Sequence, residues 1–159
     1  MGQKVHNGRW TTGNSDDVVL FLLGIRINKL TAVRKWLPVI RALPPMLAEL
    51  TEQAGSGLLA SRTQMYGVRE LTLLQYWSSV KQLMDFAHDT THRRAWRDFY
   101  RIASRSSEVG IWHETFVVPA GRYESIYGNV PTLGLATTGG LTPIGRRNDS
   151  ARARLGETE

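Results

Sequence analysis

The chain has 159 residues, no cysteine and a formal net charge of +6. A chain of this length suits one domain, which buries roughly 70% of the surface that its unfolded form would expose. The lack of cysteine excludes disulfides, thiolate metal ligands and a cysteine nucleophile. The positive charge does not by itself indicate nucleic-acid binding, because four arginines lie between positions 146 and 154 and the other basic residues are mixed with acidic ones.

No segment of the sequence predicts a membrane span or a signal peptide. No apolar run precedes Val18, and the longest apolar stretch, from Val18 to Ile25, is too short to cross a bilayer. We therefore expect a cytoplasmic protein whose partners include neither a membrane nor a nucleic acid.

The first half of the chain predicts an arm, a strand and a helix. Residues 1–16 are polar and contain glycine, which predicts a flexible N-terminal arm. The segment from Val18 to Asn28 is apolar on both faces at its start and alternates at its end, which predicts a central, covered strand. Apolar residues recur at helical spacing from Val33 to Leu50, and Pro44 predicts a kink or a break in that helix.

Three further strands and a second helix follow. Residues 58–66 and 71–77 are predicted to form an antiparallel pair joined by a short turn. Ser79 and Gln82 have the spacing of a capping box and open the second helix. Residues 109–118 alternate between apolar and polar side chains and predict the fourth strand of the domain.

This order of elements predicts an α+β domain with the ferredoxin-like βαββαβ fold over residues 17–130. Residues 131–159 are predicted to form an ordered wrap that ends in a loose basic tail. Helices on one side of a four-stranded sheet leave its other face open, and both faces of most strands are apolar. Two such sheets can cover each other, so we expect a homodimer.

Two histidines are candidates for chemistry. His92 begins the second piece of the second helix, and His113 lies within an otherwise apolar strand. A histidine in such a strand is either a hydrogen-bonded core residue or part of a pocket. The spacing of the histidines does not match a zinc motif, so no metal site is predicted.

Polar and aromatic residues on the strands are the other candidates. Arg26 and Asn28 lie on the predicted central strand, where a buried arginine needs a partner, and Glu114 on the neighbouring strand is the expected one. The pair is either a structural ion pair or an anchor for an anion or a carbonyl group. Trp77 and Trp112 are either core residues or the walls of a cavity.

Several blocks of the sequence resemble the dimeric α+β barrel superfamily of antibiotic-biosynthesis monooxygenases. One is a strand that ends in Trp77-Ser78-Ser79 and is followed by Phe86 and His92 on a helix. Three other blocks resemble one family of that superfamily, which is defined by similarity to a monooxygenase of fumagillin biosynthesis. These blocks are Gly24-Ile25-Arg26-Ile27-Asn28, Gly110-Ile111-Trp112-His113-Glu114-Thr115 and Tyr127-Gly128-Asn129-Val130-Pro131, and the resemblance covers residues 17–155.

The resemblance implies an enzyme that oxidises a hydrophobic, polyketide-like molecule with O₂, either without a cofactor or with haem. For such an enzyme, our hypothesis is that Arg26, Asn28, Trp77, Trp112 and Glu114 bind the substrate, and that His113 or His92 is the general base or an iron ligand. The position of the haem ligand in haem-degrading relatives is occupied by Trp96 in this chain, which argues against inferring haem binding directly from those relatives. The alternatives on the same fold are a haem-binding protein, a haem-dependent dehydratase and a non-catalytic binder of small molecules.

Overall fold

A computed structural model describes residues 3–52, 55–88, 93, 97, 100–101 and 107–156 of the chain. Its main elements, in chain order, are β1 (Val5–Thr11), β2 (Val18–Ile27), α1 (Val33–Glu52), β3 (Leu58–Tyr66), β4 (Glu70–Trp77), α2 (Val80–His88), β5 (Val109–Val118), β6 (Tyr127–Pro131) and β7 (Thr142–Pro143).

Strand β2 lies at the centre of a four-stranded antiparallel sheet in the order β3-β4-β2-β5. It pairs along nearly its whole length with β4 on one side and with β5 on the other. This order, with one helix after β2 and another after β4, is the predicted ferredoxin-like βαββαβ arrangement. The apolar segment predicted to be a central strand therefore occupies that position.

Helices α1 and α2 pack on one side of this sheet and define two hydrophobic clusters. The first contains Val39 and Leu43 of α1 together with Ile25, Leu73 and Val109 of the strands. The second is formed by Leu83 of α2 with Val19 and Trp77. All the strand residues in these clusters have odd numbers, and side chains alternate along a strand. The odd-numbered residues of β2, β4 and β5 thus form the helix-facing side, and the even-numbered ones form the far face.

Two helix predictions can be compared with the structure. Helix α1 runs as one element through Pro38, Pro44 and Pro45, so the helix does not break near Pro44, and the alternative of a kink there stays a prediction. Ser79 Oγ accepts the backbone N–H of Gln82 at 3.2 Å, which confirms the predicted cap of α2. The second helical piece, predicted from Thr91, lies mostly outside the described residues.

The N-terminal segment is a strand and not the flexible arm that its composition predicts. Strand β1 lies between β6 and β7 in a second, three-stranded antiparallel sheet. Trp10 pairs with Tyr127 of β6 and with Pro143 of β7. The correction has a simple physical reason: the backbone N–H and C=O groups of this polar segment are satisfied by strands more than 100 residues away, which local composition cannot reveal.

The basic tail is also held in place, contrary to the prediction that it is loose. Arg154 is 7% exposed, and its Nε donates to Glu124 Oε2 at 2.7 Å. Its Nη1 donates to the backbone oxygens of Asn148 and Asp149 at 3.1 and 2.7 Å. Its own carbonyl accepts from Asn14 Nδ2 at 2.9 Å. One arginine of the tail therefore joins three separate parts of the chain.

Within the described residues, no helix is both long enough and apolar enough to cross a membrane.

Replacement of Arg154 by alanine should destabilise the fold, because it leaves Glu124 and two backbone carbonyls without their buried donor. We expect a loss of about 2 kcal/mol in the free energy of unfolding and a fall in Tm of about 6 °C. Thermal unfolding followed by circular dichroism measures both. Arg152→Ala is the matched control, since Arg152 lies in the same short helix and is exposed. Equal Tm values for the two variants would contradict an anchoring role for Arg154.

Candidate functional site

The four-stranded sheet separates the predicted site residues into two groups. Trp77 and His113 have odd numbers and lie on the helix-facing side. Arg26, Trp112 and Glu114 lie on the far face, as their pairing with even-numbered residues of β2 and β4 shows. No single pocket on one side of the sheet can therefore contain all five side chains.

The two remaining predicted residues are Asn28 and His92. Asn28 directly follows β2, and its Nδ2 donates to the backbone oxygen of Ser107 at 2.8 Å. Its backbone N–H donates to the backbone oxygen of Glu108 at 2.9 Å. Asn28 therefore connects the end of β2 to the residues that precede β5. His92 lies outside the described residues.

His113 lies where the two hydrophobic clusters meet. It pairs with Leu23 in the sheet, and Leu23 packs against the first cluster. Its ring centroid is 5.8 Å from that of Phe21, which packs against the second cluster, and the two rings are tilted by 34°. The imidazole is exposed. It is thus a polar, accessible side chain beside the apolar residues Phe21 and Leu23.

Gln75 is a buried polar residue on the same side that the sequence argument did not select. Its side chain is 5% exposed, and its Oε1 accepts the indole N–H of Trp77 at 3.2 Å. Trp77 itself is fully buried and packs against Phe86 at a centroid distance of 5.5 Å. Trp77 is therefore a core residue with a satisfied N–H. The signal for Gln75 was its place between Leu73 and Trp77 on one face of an apolar strand.

The expected pairing of Arg26 with Glu114 is wrong. Arg26 Nη1 contacts Glu70 Oε2 at 2.8 Å, and these two residues are directly opposite each other on β2 and β4. Glu114 lies opposite Leu22, four positions along β2 from Arg26. The choice of neighbour strand and the register decide the partner, and neither is encoded in the spacing of the two residues.

Trp112 lies flat on the far face across Gly24, its partner on β2. A Cβ atom on Gly24 would be only 2.1 Å from the indole atoms Cε2 and Nε1. On the other side of Gly24 is Thr72, which is 2% exposed and whose Oγ1 is buried without a hydrogen-bond partner among the described residues. Gly24 is therefore the position that lets the indole approach the sheet.

In the part of the chain that the structure describes, no group of three or more His, Asp or Glu side chains could hold a metal ion. The arrangement on the helix-facing side instead offers one imidazole beside apolar and aromatic surface, which suits proton transfer on a hydrophobic molecule.

Comparison with known proteins agrees with this fold. The model of the family described as Monooxygenase af470-like matches residues 18–135, which include all four strands of the larger sheet. The chain belongs to this family.

The curated relative that this chain matches is longer than the chain itself. Monooxygenase af470 of Aspergillus fumigatus is 29% identical over 148 residues, which are 87% of this chain and 52% of that protein. The chain therefore spans about half the length of the curated relative that it matches.

Two solved structures resemble the model over most of its length. An aldoxime dehydratase, OxdRE, in complex with butyraldoxime has a TM-score of 0.64 and 22% identity, over 87% of this chain and 41% of that chain. A second aldoxime dehydratase structure has a TM-score of 0.64 and 20% identity, over 87% of this chain and 44% of that chain. At these identities the likeness shows the fold and not the activity.

A side chain at position 24 should displace Trp112. We expect Gly24→Ala to cost about 1–3 kcal/mol of stability, because the methyl group would overlap the indole and force it off the sheet. Tryptophan fluorescence should show a more solvated indole, and Trp112→Ala in the same chain should recover part of the loss. Gly110→Ala is the matched control, since the nearest side-chain atom to its added Cβ is Asn28 Nδ2 at 3.6 Å. A Gly24→Ala variant as stable as Gly110→Ala would contradict the packing described.

Proposed function

We propose that this af470-like chain oxidises a hydrophobic small molecule with O₂ on the helix-facing side of its larger sheet, and that His113 is the general base. The observation that carries the proposal is the position of His113. Its imidazole is exposed between two apolar clusters and lies beside the ring of Phe21.

The chemistry follows from what such a site can supply. Apolar walls bind a hydrophobic ring or chain, and one positioned histidine takes a proton at neutral pH. A substrate with an acidic C–H bond then becomes a carbanion. That carbanion transfers one electron to O₂, which yields a substrate radical and superoxide without any electron donor from the protein. Phe21 and Leu23 keep water away from the carbanion, which would otherwise be reprotonated.

The predicted role of the far-face residues changes in this proposal. Arg26 is paired with Glu70, and Glu114 is exposed on the other face from His113. Neither reaches a substrate held beside His113 in the same chain. We assign them, with Trp112, to the surface on which a second copy of the chain would pack.

Haem binding is the main alternative for the same surface. A neutral imidazole is a common iron ligand, and His113 is an accessible histidine beside the apolar residues Phe21 and Leu23. If haem binds, His113 would hold it, and the iron would supply the redox or dehydratase chemistry. A non-catalytic binder of small molecules would use the same apolar surface without proton transfer. The cytoplasmic location expected from the sequence stays a prediction.

His113→Ala should separate these functions. We expect the purified protein to consume O₂ in the presence of a hydrophobic β-dicarbonyl compound, and the variant to lose this activity by about 100-fold, the usual contribution of a general base. An oxygen electrode measures the rate, and His88→Gln is the control, since His88 is an exposed histidine at the end of α2.

Two further readings of the same samples decide between the alternatives. A Soret band that appears on titration with haem, and that is lost in His113→Ala, would favour the haem protein over the cofactor-independent enzyme. A lower Tm of His113→Ala with unchanged oxygen uptake would mean that the histidine is structural and would overturn the proposal.

A homodimer through the far face is the second part of the proposal. Leu20 and Leu22 of β2 lie on this face, and Phe116, opposite Leu20, is 47% exposed. Apolar surface of this kind is normally covered. The matched relative is about twice as long as the chain, so a second unit of similar size has room to supply the cover.

Phe116→Glu should weaken this association. We expect light scattering to give about twice the 17.9 kDa chain mass for the unmodified protein and about the monomer mass for the variant, because a carboxylate would be buried without a partner. Val33→Glu is the control, since Val33 is 44% exposed at the start of α1, on the other side of the sheet. A monomeric unmodified protein would exclude the dimer.

A further inference from the structure

Three hydrogen-bond donors from separate elements meet on the far face, at the edge distant from β5. The position that a Cβ atom would occupy on Gly134 is 3.6 Å from Tyr76 Oη, 3.9 Å from Arg62 Nη1 and 3.9 Å from Tyr127 Oη. Arg62 and Tyr76 lie on the adjacent strands β3 and β4, and Tyr127 begins β6 of the other sheet. The segment that follows β6 brings Gly134 over them.

The donors are not satisfied by the rest of the described chain. Neither the Tyr76 hydroxyl nor the Arg62 guanidinium has a hydrogen-bond or ion-pair partner among the described residues. The Tyr127 oxygen accepts the backbone N–H of Ala136 at 3.3 Å, which leaves its own proton free to donate. A phenol, a second phenol and a guanidinium thus lie around one point, and no carboxylate of the described residues is paired with them.

The local environment strengthens any bond made at this point. Tyr76 and Tyr127 are half-buried, and Gly134 is buried. Burial raises the pKa of Tyr76, the nearby Tyr127 phenol raises it further, and Arg62 opposes this rise. Tyr76 therefore stays a neutral O–H donor to above about pH 10, its ordinary pKa. Donors in a partly dry site bind a charged acceptor more strongly than they would in water.

Glycine at position 134 leaves free the space next to the three donor atoms. Its φ angle is +59°, in the left-handed region that favours glycine, and a side chain there would occupy the space that the three donors face.

We propose that Arg62, Tyr76 and Tyr127 bind an oxyanion of a small molecule, a carboxylate or a phenolate oxygen. One positive charge with two neutral O–H donors matches a single negative charge, and the three groups include no carboxylate that would favour a cation. The site lies on the opposite face of the sheet from His113, so it does not depend on the function proposed for that residue.

Binding of benzoate tests the proposal, with the neutral benzamide as its isosteric control. Isothermal titration should show that benzoate binds and benzamide does not. Tyr76→Phe and Arg62→Gln should each weaken benzoate binding by about tenfold, the usual effect of losing one hydrogen bond to a charged group. Tyr76→Phe removes no hydrogen bond that the described part of the chain makes, so its fold should be intact by circular dichroism. 4-Nitrophenolate in place of benzoate tells whether a phenolate or a carboxylate is preferred.

Matched control variants test whether the loss of benzoate binding is specific to this site. Tyr66 lies on β3, as Arg62 does, and its hydroxyl already donates to Gln64, so Tyr66→Phe removes a phenol that is not part of the site. Arg41→Gln removes one exposed positive charge from α1. Both should bind benzoate like the unmodified protein, and so should His113→Ala. Equal binding of benzoate and benzamide, or equal affinity in Tyr76→Phe, Arg62→Gln and the controls, would overturn the proposal. Loss of binding in His113→Ala alone would place the anion at the other site.

Discussion

The register of the central strand is the constraint on which the other features of this molecule depend. Strand β2 is hydrogen-bonded to β4 and β5 over nearly its full length. Because side chains alternate along a strand, a slip of one residue would move every side chain of β5 to the opposite face. The observed register places His113 beside Phe21, Trp112 over Gly24 and Arg26 opposite Glu70. Stability and the candidate chemistry are therefore set by the same backbone ladder.

That ladder divides the domain into two surfaces of different character. The helix-facing side is dry around Ile25 and Trp77 and is accessible along β5, where His113, Thr115 and Val117 are exposed. The far face carries a flat indole, an exposed phenylalanine and the donors near Gly134. In the present chain, we assign proton transfer to one face and anion binding and self-association to the other.

The smaller sheet and the C-terminal segment decide what the far face can do. Strand β1 holds β6 by backbone pairing, and β6 holds Tyr127 at the margin of the larger sheet. Arg154 forms an ion pair with Glu124, and its carbonyl accepts from Asn14 Nδ2. These bonds hold the C-terminal segment against residues from two other parts of the chain. The N-terminal strand and the C-terminal segment, which composition predicts to be flexible and loose, thus help to position Tyr127 and Gly134.

The larger sheet and the start of both helices were predictable, because their signals are local. Alternation predicts β5 at Val109–Val118, the Ser79 cap predicts the start of α2, and the order of elements predicts the ferredoxin-like fold. The continuity of α1 through Pro44 was not predictable, since packing against the sheet outweighed the loss of backbone hydrogen bonds. The second sheet was missed because β1 pairs with segments more than 100 residues away.

The fold class, the family blocks and the place of His113 as a polar residue on an apolar strand can all be read from the sequence. The tertiary structure alone decided that His113 faces the helices, that Arg26 pairs with Glu70 and not with Glu114, and that three donors meet near Gly134. The reason is physical: alternation is encoded residue by residue, whereas register, strand order and the docking of distant segments arise only when backbone hydrogen bonds close between parts of the chain that are far apart in sequence.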